Sequence, residues 1–221
     1  MKVSLVIPAL NEATTIGTVL DRRPHDWAAI VVDDGSSDDT GTIATAHGAV
    51  VLRHPAPRGY DAALGTGLDH ARGAGFDLAL TLDADGQLTM DSARRAVDAL
   101  RRADADLALG RRDRFARWSE HVFSAYTRRR YGVRDILCGL KVYRLAAFGF
   151  LRSFDMADSI GTAVALAGLQ HGLRWIESDV EVLPRADASR FGSGLKANLR
   201  IAGAAIRAMR RERAKPGGPH A

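Results

Sequence analysis

Three polar residues, Asp83, Asp85 and Gln87, follow an apolar run at residues 78–82 in the pattern Asp-Ala-Asp-Gly-Gln. The run predicts a buried parallel strand, so that the polar residues come at its carboxyl end. If the chain stays extended, residues two apart point the same way, and three oxygens are presented together. Such oxygen donors suit Mg²⁺ or Mn²⁺. Phosphates of a substrate complete the coordination of these ions. Taken alone, the same residues are equally typical of a polar turn.

Strands and helices alternate along the first half of the chain. Strands are predicted at residues 3–7, 28–32, 49–52, 78–82 and 107–109, with helices from Asn11 to about residue 20, from the turn at 33–40 to about 47, at 62–71 and at 90–102. Short connections predict an α/β fold with a mostly parallel central sheet, helices on both faces and a Rossmann-like arrangement. Ligands of such sheets bind beyond the carboxyl ends of the strands. Residues 8–12, 33–37 and 83–87 fall at that edge.

The second half of the chain is less regular and more basic. Arginines crowd residues 111–134 and 200–213, and the net charge is +5, so anionic partners are expected. Within 111–134, Trp118, Val122 and Tyr126 recur at four-residue spacing; they are interpreted first as a core-facing helical stripe, with a substrate wall as the alternative. A helix at 160–170 and strands at 140–143 and 180–182 are also predicted.

Residues 195–211 predict an amphipathic basic helix near the C-terminus. The apolar positions fall at spacings of four and three, with lysine and arginine around them; they are Leu195, Leu199, Ala202, Ile206 and Met209. The helix either packs on the sheet or contacts a membrane surface, and the sequence leaves both open. Residues 214–221 are expected to be a disordered tail.

Composition excludes several classes of protein. Hydrophobic residues at 46% and charged residues at 26% are ordinary for a soluble globular domain. The single cysteine, Cys138, rules out an internal disulfide and fits a reducing compartment.

We find no signal peptide and no apolar stretch long enough to span a bilayer, so a cytoplasmic location is expected. No G-x-G-x-x-G follows the first strand, which argues against dinucleotide binding. Acidic strand ends and few aromatic residues argue against nucleic-acid binding.

Three segments in order, residues 6–12, 31–40 and 83–87, resemble motifs of inverting family 2 glycosyltransferases with the A-type nucleotide-sugar-binding fold. The resemblance is strongest to the polyprenyl- or dolichyl-phosphate mannose or glucose synthases, and it runs to about Arg144. There, residues 135–144 resemble the Asp-x-x-Ser-Gly-Phe-Arg-x-Tyr-Arg segment of that branch. The chain departs from this branch at Tyr60, where the branch has a lysine, and at Leu140-Lys141, where it has Phe-Arg.

The resemblance implies a role for each matching residue. Asp83, Asp85 and Gln87 would bind Mg²⁺ or Mn²⁺, and Asp85 and Asp135 would be catalytic. The nucleotide sugar would contact Pro8, Ala9, Glu12, Asp33, Asp34, Arg58, Asp83 and Ala84. The acceptor would contact Arg112, Arg117 and Arg128. Residues 1–213 would form one domain, with a nucleotide-sugar half at 1–110 and an acceptor half at 111–213.

The implied reaction is inverting transfer of a hexose from a donor of the GDP-mannose or UDP-glucose type to a polyprenyl phosphate, by an enzyme that is cytoplasmic or peripheral on the inner face of the membrane. A hydroxyl acceptor is the first alternative, and it requires a carboxylate, Asp135 first, to take its proton. A nucleotidyltransferase or a degenerate binding module is the second alternative. The sequence does not determine the oligomeric state.

Overall fold

A single sheet of seven strands organises the described part of the computed structural model, which covers residues 1–115, 117–156, 159, 161–183, 198–199, 201–203 and 206–207. The strands are β1 (Val3–Ala9), β2 (Ala28–Asp33), β3 (Val50–Arg53), β4 (Leu78–Thr81), β5 (Leu107–Arg111), β6 (Lys141–Arg144) and β7 (Trp175–Asp179). The α-helices are α1 (Ile16–Asp21), α2 (Thr40–Ala46), α3 (Tyr60–Gly73), α4 (Met90–Arg102), α5 (Trp118–Tyr131) and α6 (Ala163–Gln170). A short 3₁₀ helix spans Leu145–Phe148.

The strands lie in the order β3-β2-β1-β4-β6-β5-β7. β1 pairs in parallel with β2 and β4, β2 with β3, and β5 with β7, whereas β6 runs antiparallel between β4 and β5. Every strand except β6 therefore points the same way, which confirms the predicted mostly parallel α/β fold. The carboxyl ends of β1, β2, β4 and β5 meet at one edge, where the polar residues that follow them come together.

Alternate residues of β1 enter two separate cores. Leu5 and Ile7 pack with buried residues of α1, α2 and α4 on one face of the sheet. Val6 packs on the other face with buried residues of α3, α5 and α6. This two-residue period is the expected consequence of the pleat, and it confirms the helices on both faces.

β1 continues through Pro8, where the sequence predicted its end. Pro8 pairs with Val32 of β2, while the pairing of β1 with β4 stops at Val6. The Val6 carbonyl accepts a hydrogen bond from Leu82 on the β4 side, so the nitrogen of Pro8, two residues on, faces the same side. The pairing with β4 has ended by this point, so the proline, which has no N–H, lies where the ladder no longer continues on that side.

The first helix begins later than predicted, at Ile16 rather than at Asn11. Asn11 has a left-handed φ of 51°, and its Oδ1 accepts a hydrogen bond of 2.7 Å from the Ser37 backbone N–H. The Glu12 N–H donates to Thr40 Oγ1 at 2.7 Å. The loop before α2 therefore binds the groups that would start a helix, and the prediction of Asn11 as an N-cap was wrong.

The predicted core stripe on α5 is correct only at Tyr126, which packs against the core beside Phe123. It was wrong for Trp118, which is 60% exposed, and Val122, which is 53% exposed, whereas Phe123 is fully buried on the adjoining face of the helix. Glu120, a charged residue, lies buried on that face as well. A four-residue spacing identified a helical face correctly, but it could not distinguish the face that meets the sheet from the face that meets solvent.

The last strand was misplaced by the sequence, which predicted residues 180–182. β7 is Trp175–Asp179, and Val182 forms only an isolated bridge with Leu88. Of the predicted basic helix, residues 198, 199, 201–203, 206 and 207 are described and helical; its other positions and the predicted tail at 214–221 lie outside the described residues. Asn198 Oδ1 accepts a 2.6 Å hydrogen bond from Ser119, which joins this segment to α5. Among the described helices, none has the length and apolar character needed to cross a bilayer.

α3 packs so closely on the sheet that one of its positions accommodates only glycine. A Cβ on Gly67 would overlap Val6 Cγ1, whereas a Cβ on Gly73, in the last turn of the same helix, would meet nothing within 4 Å. We expect Gly67→Ala to lower the free energy of unfolding by about 1–3 kcal/mol, because the added methyl overpacks the interface. Gly73→Ala is the matched control and should leave the stability unchanged or raise it by about 0.5 kcal/mol. Urea unfolding followed by circular dichroism measures both changes, and equal effects would contradict the prediction.

Candidate active site

Two consecutive aspartates end β2, and the first of them is structural. Asp33 is completely buried, and its Oδ1 accepts a 2.8 Å hydrogen bond from the Ser36 backbone N–H. Its Oδ2 lies 3.2 Å from Arg53 Nη1. The carboxylate therefore fixes the turn between β2 and α2. The Asp33 carboxylate is buried and is not exposed to a ligand in this structure. The sequence predicted it as a nucleotide-sugar contact.

Asp34 organises the loop that leads into α3. Its two oxygens accept hydrogen bonds of 2.8 Å from the backbone N–H groups of Arg58 and Gly59. His54 Nδ1 lies 2.7 Å from Asp34 Oδ1, and His54 Nε2 lies 3.0 Å from Thr66 Oγ1. Sequence reasoning missed His54, because nothing in the local pattern pairs it with an aspartate 20 residues earlier. Asp34 is thus positioned at the predicted edge, where it holds the loop at 58–59 against the end of β2.

Four further residues predicted for the nucleotide sugar come from the end of β1, the segment after it and the loop before α3. Pro8 and Ala9 are buried at the end of β1. Glu12 is partly buried, and its Oε2 accepts a 3.0 Å hydrogen bond from Thr15. The Arg58 guanidinium donates a 2.9 Å bond to Asp155, so its charge is balanced by that carboxylate.

Asp83, directly beyond β4, is held from two sides. The Tyr60 hydroxyl donates a 2.7 Å hydrogen bond to Asp83 Oδ1. On the other side, a Cβ on Gly139 would overlap Asp83 Oδ2, so only glycine leaves room for the carboxylate. Sequence reasoning named Tyr60 as a departure from the family pattern, but it did not predict this contact.

The negative charge of Asp85 acts on Asp83. Burial raises the pKa of Asp83 above the ordinary range of an aspartate; the Tyr60 hydrogen bond opposes this, and the negative charge of Asp85 raises the pKa further. A cation beside the pair would relieve both the repulsion and the desolvation. The two carboxylates therefore fit a divalent cation.

The segment that follows Asp83 is a turn and not an extended strand. β4 ends at Thr81, Gly86 has φ 70°, and the Gln87 N–H donates a 3.1 Å bond to Asp85 Oδ1. The expected alternation of Asp83, Asp85 and Gln87 along a strand was wrong, and Ala84 lies buried inside the turn. Within the described part of the chain, no group of three or more His, Cys, Asp or Glu side chains could hold a metal. Two carboxylates and an amide are the incomplete donor set that Mg²⁺ or Mn²⁺ completes with substrate phosphates.

Beyond β5, the predicted catalytic Asp135 and the predicted acceptor residue Arg112 bind each other. Arg112 Nε lies 2.8 Å from Asp135 Oδ2, and its Nη2 lies 3.0 Å from Oδ1, a bidentate ion pair in which Asp135 is 1% exposed. Glu120 Oε2 lies 3.5 Å from Arg112 and Glu120 Oε1 lies 3.1 Å from Arg117. Sequence reasoning missed Glu120, although it stands three residues after Arg117, a spacing that brings helical side chains together.

This network bears on two predictions about the acceptor side, which stay predictions. Both oxygens of Asp135 accept hydrogen bonds from Arg112, so taking a proton from a hydroxyl would require Asp135 to give up part of this pair. The charges of Arg112 and Arg117 are matched by those of Asp135 and Glu120. Arg128 is exposed near the end of α5, about 15 Å along the helix from its first residue, and is not brought to this network.

A buried lysine lies between the two halves of the edge. Lys141 is 3% exposed, and its ammonium donates to the Cys138 carbonyl. Burial lowers the pKa of Lys141, while the negative charges of Asp83 and Asp135 act in the opposite direction. Lys141 thus occupies a position where the resembled branch has an arginine, and its amine is used in a hydrogen bond to the Cys138 carbonyl.

Solved structures with a similar fold include those of glucosyl-3-phosphoglycerate synthase from Mycobacterium tuberculosis. The complex of that enzyme with Mn²⁺, UDP and glucosyl-3-phosphoglycerate has a TM-score of 0.75 and 20% identity, over 98% of this chain and 81% of that chain. The complex with Mg²⁺ and UDP has a TM-score of 0.72 and 20% identity, over 94% and 79%. At this identity the similarity is one of fold.

The family is established by sequence. An uncharacterized glycosyltransferase of Mycobacterium tuberculosis is 32% identical over 202 residues, which cover 87% of this chain and 90% of that protein. A protein of Mycobacterium bovis, also described as an uncharacterized glycosyltransferase, matches equally well. The sequence model of the family described as "Glycosyl transferase family 2" matches residues 4–161. This chain therefore belongs to glycosyl transferase family 2 and is a glycosyltransferase with the A-type fold.

Proposed function

We propose that this protein moves a hexose, with inversion, from a nucleoside diphosphate sugar to a phosphate oxygen of a polyprenyl phosphate. The observation that carries the acceptor assignment is the closed ion pair between Asp135 and Arg112. A hydroxyl acceptor needs a base, and Asp135 was the first candidate for that base. A phosphate oxygen is anionic already and needs none.

The donor is assigned to the first half of the fold, residues 1–110. The end of β1, the loop held by Asp34 and the turn after β4 would surround a donor of the UDP-glucose or GDP-mannose type. Asp83, Asp85 and Gln87 would hold Mg²⁺ or Mn²⁺. When bound, the cation acts as a Lewis acid that neutralises charge on the leaving diphosphate. The presence of UDP with Mn²⁺ or Mg²⁺ in solved structures of similar fold supports this assignment.

In the proposed reaction, the acceptor oxygen attacks the anomeric carbon from the face opposite the diphosphate. The new carbon–oxygen bond forms as the bond to the diphosphate breaks, and the electron pair leaves with the nucleoside diphosphate. The residues of this chain would bind and orient both substrates, which lowers the barrier by making the encounter of sugar and acceptor effectively unimolecular. The acceptor half, residues 111–213, would place the phosphate beside the sugar.

Asp85→Asn tests the metal site. The amide oxygen preserves an acceptor for the Gln87 N–H but removes the negative charge, so we expect turnover to fall on the order of a hundredfold or more with the fold intact. Asp91→Asn, in the exposed first turn of α4, is the matched control and should retain full activity. Release of UDP or GDP, measured with and without MnCl₂, gives the rates, and circular dichroism checks the fold. Undiminished metal-dependent turnover in Asp85→Asn would show that Asp85 is not a ligand.

A second candidate acceptor is a small phosphorylated hydroxy acid. The glucosyl-3-phosphoglycerate synthase with a similar fold has been solved with phosphoglyceric acid. Such an acceptor reacts through a hydroxyl, so it needs a base other than the paired Asp135.

An acceptor panel separates these candidates. We expect product from a polyprenyl phosphate, but none from the matching polyprenol or from 3-phosphoglycerate, when each is incubated with UDP-glucose or GDP-mannose and MgCl₂. Mass spectrometry of the products identifies the bond formed. Product on 3-phosphoglycerate would establish the second candidate, and product on the polyprenol would contradict the role assigned to the anionic oxygen.

A polyprenyl phosphate lies in a membrane, and the exposed face of α5 suits a peripheral location on the inner, cytoplasmic surface. Trp118 and Val122 are more than half exposed on this face, and Arg128 and Arg129 are exposed in the last turns of the helix. Tryptophan at a membrane interface with arginine nearby is a typical arrangement for contact with anionic lipid.

Tryptophan fluorescence tests this contact. Trp27 is buried and Trp175 is partly buried, so Trp118 should dominate any change on membrane binding. We expect vesicles containing phosphatidylglycerol to shift the emission to shorter wavelength, vesicles of phosphatidylcholine alone to shift it less, and Trp118→Ser to abolish the shift. An unchanged spectrum with anionic vesicles would rule out this face as the docking surface.

A further inference from the structure

Tyr60, the first residue of α3, stands where the resembled branch has a lysine. The replacement removes a positive charge beside the proposed donor site and introduces a phenol. In this chain the phenol oxygen is used locally, since it donates a 2.7 Å hydrogen bond to Asp83 Oδ1.

The Tyr60 ring is itself held in place. Gly161 has φ +75°, and a Cβ there would lie 2.7 Å from Tyr60 Cε1, so the backbone of residue 161 lies directly against the ring. The neighbouring Asp61 secures that backbone: its carboxylate accepts hydrogen bonds from Ser159 N–H at 2.8 Å, Ser159 Oγ at 2.6 Å and Gly161 N–H at 2.7 Å. The phenol is therefore clamped between this loop and Asp83.

The Asp83 carboxylate is correspondingly restricted. Tyr60 donates to Oδ1, and the Gly139 backbone lies against the carboxylate, where a Cβ would overlap Oδ2 and come within 2.9 Å of Oδ1. Both contacts oppose rotation of the carboxylate, and the hydrogen bond makes its two oxygens inequivalent toward an ion. Mg²⁺ and Mn²⁺ accept single carboxylate oxygens in octahedral sites, whereas Ca²⁺ often takes both oxygens of a carboxylate among its 6–8 ligands.

We infer that Tyr60 is a positioning residue that holds Asp83 for single-oxygen binding of Mg²⁺ or Mn²⁺ and so sets the preference of the site for these ions over Ca²⁺. The inference rests on the proposed function, in which Asp83 is a ligand of the donor-bound cation. It assigns Tyr60 a task different from that of a lysine, which would add charge beside the diphosphate.

Tyr60→Phe tests the inference, because it removes one oxygen and retains the ring that packs on Gly161. Binding of MnCl₂ to the protein in the presence of UDP, or of GDP if that is the nucleotide that binds, is followed by electron paramagnetic resonance. We expect the affinity for Mn²⁺ to fall about tenfold, the loss expected for a hydrogen bond to a charged group, and CaCl₂ to displace Mn²⁺ more readily than in the wild type. Tyr131→Phe, at the end of α5, is the matched control and should bind like the wild type.

Turnover distinguishes positioning from a general structural defect. In Tyr60→Phe, the Mn²⁺ concentration for half-maximal rate should rise about tenfold while kcat at saturating Mn²⁺ stays within about threefold of the wild type. Asp61→Asn, which loosens the loop behind the ring, should move Mn²⁺ affinity and Ca²⁺ competition in the same direction. Wild-type protein that binds no Mn²⁺ with either nucleotide would refute the proposed function. Wild-type binding that both variants retain unchanged would overturn the role of Tyr60 alone.

Discussion

Burial of carboxylates at one edge of the sheet is the constraint on which the rest of this structure depends. An ionised carboxylate removed from water is strongly destabilising unless hydrogen bonds or an opposite charge replace its hydration. Asp33 and Asp34 obtain these bonds from backbone N–H groups of the loops around them, and Asp135 obtains them from Arg112. Each bond also fixes a loop, so the pairing that permits burial shapes the mouth of the site as well.

This constraint divides the acidic residues of the edge into two kinds. Asp33, Asp34 and Asp135 each accept hydrogen bonds that fix a loop of the fold. Asp83 and Asp85 also accept hydrogen bonds, but they differ in carrying like charges close together. Asp83 and Asp85 lie close enough for the charge of one to raise the pKa of the other. Two like charges close together are stabilised most by a bound cation, so we assign the metal to the turn after β4.

On the acceptor side the same requirement applies to positive charge: partly buried arginines are balanced by nearby carboxylates. Counting arginines along residues 111–134 overestimates the positive charge available to a ligand, since Arg112 and Arg117 each lie within ion-pair distance of a buried acid. Such pairs hold β5, α5 and the segment before β6 together. In the proposed reaction, the acceptor half therefore positions an acceptor phosphate that is already anionic.

Local patterns determined much of this protein: the alternation of strand and helix, the span of α4 at Met90–Arg102, and the three polar segments that meet at one edge and identify the family. Those features depend on side-chain periodicity and on residues within a few positions. Only the tertiary structure decided that Asn11 starts no helix, that Trp118 faces solvent, and that Tyr60 binds Asp83. Each of these outcomes depends on partners brought from distant parts of the chain, as Asp83 is 23 residues from Tyr60 and Asp135 is 23 residues from Arg112. The sequence therefore determined which groups reach the edge, and long-range contacts decided which of them remain available for chemistry.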